Sequence, residues 1–179
     1  MSSFHLAGII PVAGKALDFN MPWHDSLMPI SENYLAVERS VVECAYAGCE
    51  TIWIVCNDDM QPLIKHRIGE YVQDPVWAFR SFEKFQSNAQ KRIPIYYVPI
   101  SAHDRGKRDS LGWAALHGMY ASRKVAKNLS KWITPDRYYV SFPYGVYDVE
   151  ILRDYRNKLS SHQPTFVSFQ NKTIRDGEY

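Results

Sequence analysis

Cysteine is scarce in this chain. Its 179 residues include three, Cys44, Cys49 and Cys56, an odd number with no CxxC pair. That excludes a disulfide framework and a cysteine zinc site, and points to a reducing compartment. Charge of one sign is also lacking. Twenty-one Lys and Arg against nineteen Asp and Glu leave a formal +2, too balanced for the bulk field to recruit nucleic acid or acidic membranes. No apolar run approaches the roughly 18 residues that span a bilayer. The start, Met1 to His5, has no positive cluster, and the apolar run Leu6 to Ala13 is broken by Pro11 and stopped by Lys15, which makes a poor signal peptide. The six histidines form no HExxH spacing, so a zinc centre is not expected. Repeats and low-complexity tracts are missing too. The expectation is a soluble, cytoplasmic protein with no membrane and no nucleic-acid partner.

What is present is a core. Hydrophobic residues make up 46% and aromatics 14%, enough for one globular domain. Short apolar runs alternate with helix-sized segments. Strands are expected at Leu6–Val12, Thr51–Cys56, Ile93–Pro99, Arg137–Phe142 and Thr165–Phe169, where β-branched and aromatic residues concentrate between turn residues. From Tyr34, the residues Val37, Val41, Cys44, Ala45 and Gly48 fall on one helical side, and Gly48 supplies a left-handed stop. Asp58 and Gln61 have capping-box spacing, Pro62 suits a first helical turn, and Ile64, Ile68 and Val72 continue a stripe to Asp74-Pro75. Ser110 to Trp132 reads as a long helix burying Leu111, Ala115, Gly118, Ser122, Val125 and Leu129, and Val149–Leu159 as another. Cys44 and Cys56 read as packing residues.

The order βαβαβαβαβ predicts right-handed crossovers on a mostly parallel sheet, a three-layer αβα sandwich of Rossmann-like type. Residues 1–170 form this single domain, and 171–179 a polar tail or truncated continuation. Ligands of such sheets sit beyond the carboxyl ends of the strands. Four loops gather there: Ala13 to Ile30, Asn57 to Gln61, Ile100 to Ser110, and Pro143 to Asp148.

Those loops carry several candidate chemistries. Gly14-Lys15 after a strand suggests a phosphate cradle, yet Gly8 and Gly14 enclose five residues instead of four and Ala16 replaces the magnesium-binding hydroxyl, so it is not a P-loop. A dinucleotide fingerprint fails for want of two further glycines. Asn57, Asp58 and Asp59 suit either turn and cap roles or ligand contact. The run His103 to Asp109 suits a triphosphate or a hydrated loop. Trp77, Phe79, Phe82 and Phe85 recur at roughly helical spacing, as a covering helix or as a surface for a protein partner or homo-oligomer.

The strand GIIPVAGK, the loop ending Ser26-Leu-Met-Pro-Ile30, the helix AVERSVVECAYAG and the strand CETIWIVCND together resemble sugar-nucleotidyltransferases of the nucleotide-diphospho-sugar transferase superfamily, with its GT-A-type fold. The resemblance extends to Asp109-Ser-Leu-Gly112-Trp-Ala-Ala115 and to Tyr139–Asp148. It implies a nucleoside triphosphate held by Val12, Ala13, Gly14, Lys15, Asn57, Leu111 and Gly112. Lys15 would be the catalytic cation, Asp148 the magnesium ligand, and a phosphorylated sugar or similar acceptor would receive the nucleotidyl group. Lys15 stands where the family has an arginine, whose bidentate fork it lacks. His24-Asp25-Ser26 replaces an expected lysine, and Pro143-Tyr144-Gly145 falls where the metal carboxylate belongs. Two readings therefore stay open: an enzyme, or a degenerate relative that serves as a binding or assembly module. A glycosyltransferase using a sugar nucleotide would normally show a DxD motif, and Asp-x-Asp is absent.

Overall fold

The computed structural model describes residues 5–14, 23–80, 91–107, 110–129, 134–161, 163–168 and 170. Strand β1 (Leu6–Pro11) lies inside the main sheet, between β4 (Thr51–Asn57) and the edge strand β7 (Arg137–Val140). Beyond β4 comes β6 (Arg92–Ile100), and a short strand β5 (Tyr71–Gln73) closes that edge, giving the order β5-β6-β4-β1-β7. The four long strands are parallel and β5 runs antiparallel to β6. A separate two-stranded hairpin, β2 (Pro29–Ser31) with β3 (Tyr34–Leu35), turns at Asn33.

Both faces of β1 and β4 are buried, which explains their unbroken apolar character. Alternate side chains divide between two clusters. Leu6, Ile10, Ile52, Ile54, Cys56, Ile93 and Ile95 meet helix α1 (Ala36–Ala47) through Val37, Val41 and Cys44. Ala7, Ile9, Trp53, Val55, Val98 and Ile100 meet Ala114 of helix α5 (Leu111–Leu129). Close approach on each face depends on a missing side chain. A Cβ on Gly8 would lie 2.7 Å from Cys44 Sγ, and one on Gly118 would lie 2.6 Å from Val55 Cγ2.

Helix α1 ends at Gly48, whose φ of 90° is the left-handed conformation glycine tolerates best. Helix α6 (Leu152–Leu159) crosses this end. Its Arg156 donates from Nε to Tyr46 O at 2.8 Å, donates to Ala45 O, and forks onto Asp74 at 2.7 and 3.2 Å. Asp74 in turn caps helix α3 (Pro75–Arg80), accepting from the backbone N–H groups of Val76 and Trp77.

Several expectations need correction. Helix α2 (Gln61–Ile68) starts after Met60 with Pro62 in its first turn, and Asp58 makes no capping box with Gln61. The helix stops at Gly69, so Val72 belongs to β5 and not to a helical stripe. Residues 165–168 are not a strand; β5 supplies the fifth strand of the sheet. Strand β7 ends at Val140, and the helix expected at Val149–Leu159 opens as a 3-10 turn, Val149–Ile151, before α6. On α5 the expected Ala115, Gly118 and Ser122 are buried, joined by Ala114 and Ala126, whereas Leu111 and Val125 are exposed and the Leu129 side chain lies outside the described residues. The small residues, not the large ones, fit against the sheet. No helix among the described residues is long and apolar enough to cross a membrane.

Candidate functional site

The chain proceeds from β1 outward to β4 and β6, then returns across the sheet to β7 on the other side of β1. At such a reversal the loops leave neighbouring strands in opposite directions and open a crevice at the carboxyl ends. Val12 closes β1 by donating its N–H to Val55 O at 2.9 Å. Ala13 is buried in the same cluster as Ala114, on the first turn of α5, and Ile100, at the end of β6. Gly14 follows with φ 128°, a conformation that side chains rarely adopt. The end of β1 and the first turn of α5 thus share one buried cluster. Val12 and Ala13 themselves are buried packing residues. Lys15 lies outside the described residues.

Gly112 sits exposed on that first turn of α5, with nothing within 4 Å of where a Cβ would stand. Leu111 beside it is 39% exposed. Asn57 ends β4, and its Oδ1 is buried without a hydrogen-bond partner. The next residue, Asp58, donates its N–H to Ile100 O at 3.1 Å, joining the loops after β4 and β6. Arg105, on the short helix α4 (Ala102–Arg105), ties them further by binding Asp58 and, at 2.8 Å, Asp59. Desolvation would raise the Asp58 carboxyl, but the Arg105 guanidinium outweighs it and holds the group below its ordinary value. The two aspartates are anchors for the neighbouring loop, and one cation of the basic run is already paired.

Two polar groups whose contacts the sequence did not foresee involve β7 and the segment after it. Buried Asp25 accepts from the Ser26 N–H at 2.9 Å, contacts His24 Nδ1 at 2.8 Å, and receives the Tyr144 hydroxyl at 3.3 Å. Burial and the Asp25 charge push the Tyr144 phenol up, so it stays a donor. His24, Asp25 and Ser26 are not a nucleophilic triad, because Ser26 Oγ and Asp25 both meet the same ring nitrogen.

Glu43 of α1 centres the second group. Its Oε1 accepts from the Tyr139 and Tyr147 hydroxyls at 2.6 and 2.7 Å, and its Oε2 from Ser141 at 2.8 Å. Arg39 Nη1 pairs with Oε2 at 2.9 Å, while its Cζ stacks 4.5 Å from the Tyr147 ring centre. Burial first, then the Glu43 charge, raise both phenols well above their usual range. The signal in the sequence is an Arg-Glu pair at i, i+4, on the helix face opposite Val37 and Val41.

Asp148 caps the 3-10 turn by accepting the Glu150 N–H at 3.0 Å. It lines a cleft of about 400 Å³ with Ile30, Arg39, Tyr46, Tyr147 and Glu150. That lining includes neither Gly14 nor Asn57 nor Gly112. Among the described residues no group of three or more His, Cys, Asp or Glu could hold a metal ion. Trp77 is half-buried on α3; the Phe79 side chain, Phe82 and Phe85 lie outside the described residues.

No family model matches the chain, and no curated protein is significantly similar to it in sequence.

Proposed function

We propose that this is a nucleotide-binding protein with a Rossmann-like, GT-A-type fold, in which a nucleoside triphosphate occupies the crevice beyond β1. As an enzyme it transfers the nucleotidyl group to a sugar phosphate or similar acceptor. The observation that carries this reading is that Ala13, after β1, and Ala114, on the first turn of α5, belong to one buried cluster. In this reading Lys15 neutralises phosphate, Val12, Ala13 and Gly14 shape the turn, and Asn57, Leu111 and Gly112 face the nucleoside. Magnesium chemistry finds little support among the described side chains, since Asp148 is engaged as a cap and forms no carboxylate cluster.

A second reading, a binding or assembly module without turnover, is favoured by Tyr144. It stands in the segment where the resemblance places a metal carboxylate, and its hydroxyl is committed to Asp25. Thermal melts of the full chain with ATP, CTP, GTP and UTP, each with magnesium and with chelator, test the shared premise. A triphosphate at one hundred times its dissociation constant should stabilise the fold by about 2.7 kcal/mol. Absence of a shift with all four discards nucleotide binding. Pyrophosphate release in the presence of sugar phosphates then separates the enzyme from the module. Lys15→Ala should weaken a triphosphate more than its nucleoside.

A further inference from the structure

Helix α5 presents the sheet with small residues and presents solvent with large ones. On its outer face Trp113, Leu116, Tyr120, Arg123 and Lys127 follow at spacings of three, four, three and four residues, and all are exposed. Leu116 is 58% and Tyr120 66% exposed. Alternating steps of three and four make the seam along which two helices pack knobs into holes. This seam is divided. Its first half is apolar and aromatic, and its second half is cationic, with Lys124 adding charge 5.9 Å from the Tyr120 ring centre. The nineteen residues of α5 include no Asp or Glu, so nothing on the helix neutralises these cations.

We propose that this seam docks an amphipathic helix of a partner protein, apolar where it meets Leu116 and Tyr120 and acidic where it meets Arg123 and Lys127. A second copy of the chain cannot match the seam over its whole length. Parallel pairing in register sets Arg123 and Lys127 against themselves, and antiparallel pairing centred on Tyr120 sets Leu116 against Arg123 and Trp113 against Lys127. A helix is the form of partner that the three-four spacing selects, and opposite charge at the second half fixes its direction.

The probe is a three-heptad helical peptide with Leu at the seam positions of one half and Glu at those of the other, made in both orders, with Lys-for-Glu versions as controls. Fluorescence anisotropy against the full chain should show binding of one Glu order and of neither Lys version. The double variant Arg123→Glu, Lys127→Glu should weaken that binding by about tenfold or more and should bind the corresponding Lys peptide. Leu116→Ala with Tyr120→Ala, a separate variant at the apolar half, should weaken both pairings, and the melting temperatures of both variants should match that of the parent. The proposal is overturned if neither Glu peptide binds, or if charge reversal leaves binding unchanged. It is equally overturned if phosphatidylserine vesicles bind while the Glu peptides do not, or if sedimentation shows self-association that Tyr120→Glu abolishes.

Discussion

A methyl group added at Gly118 would lie 2.6 Å from Val55 Cγ2 and 3.0 Å from Ile9 Cγ2, inside the layer between α5 and the sheet. Gly118→Ala should therefore destabilise the chain by about 1–3 kcal/mol, read as a lower denaturation midpoint in urea. Gly112→Ala meets open space and should leave that midpoint unchanged or slightly higher; any loss of nucleotide affinity in this variant would then report on the crevice alone. Glu43 is the other single residue on which much depends. Glu43→Ala leaves Arg39 buried without its counter-charge and three hydroxyls without an acceptor, a loss of about 3–5 kcal/mol in the same measurement, while Glu43→Gln, which keeps one carbonyl acceptor, should lose less. At this scale the sequence was partly legible. Cys44 and Cys56 are the packing residues their positions implied. Beyond its i, i+4 spacing from Arg39, the cluster around Glu43 was not recognisable, because its partners Tyr139, Ser141 and Tyr147 are about a hundred residues away and only the folded sheet brings them together.

Elements whose signal was local came through well. The four parallel strands and the helix ending at Gly48 follow from β-branched density, from i, i+4 periodicity and from a glycine stop. Elements decided by their neighbours did not. Val72 continued a helical stripe in the sequence, yet β6 offered an open edge and drew Tyr71–Gln73 into pairing. On α5 the sequence placed Ala115, Gly118 and Ser122 correctly on the buried side, but the same stripe carried Leu111 and Val125 inward, where the sheet surface accepts only small side chains. The joining of α1, α3 and α6 through Arg156 was likewise invisible, since an Arg in a polar helix normally points to water. Arg156→Ala removes the fork on buried Asp74 and the donors to Tyr46 O and Ala45 O. The expected cost is about 3–5 kcal/mol. Amide hydrogen exchange should show it as lost protection concentrated in α6 and at the end of α1.

For the whole molecule, the order of the strands decides where a ligand can sit, and that order was not contained in the alternation of strands and helices. Alternation requires crossovers but leaves open on which side of β1 each returning strand is placed. The observed return to β7 makes β1 a reversal point of the kind beside which open α/β sheets bind ligands, and acid stability offers a test of how the two ends of the sheet are held. His5, before β1, has its Nε2 3.0 Å from Thr51 Oγ1. Burial lowers its pKa, opposed by Glu50 and Asp136. The folded chain therefore favours the neutral ring, and the contribution of His5 is complete above about pH 6.5 and is lost as the pH falls from there through the folded value. Asp74 behaves in the same direction further down. Burial raises its carboxyl, but Arg156, the Trp77 N–H and Lys91 outweigh it and hold the group below its ordinary value, so its contribution is complete above about pH 3.9 and disappears as the pH falls through the folded pKa. The melting temperature should accordingly decline in two stages, the first starting near pH 6.5 and the second below about pH 4. His5→Gln, which keeps a group able to reach Thr51 without titrating, should flatten the first stage and spare the second. A single decline confined to pH below 4 in the parent chain would mean that His5 is solvated, and that the start of β1 is not anchored against Thr51 as the structure has it.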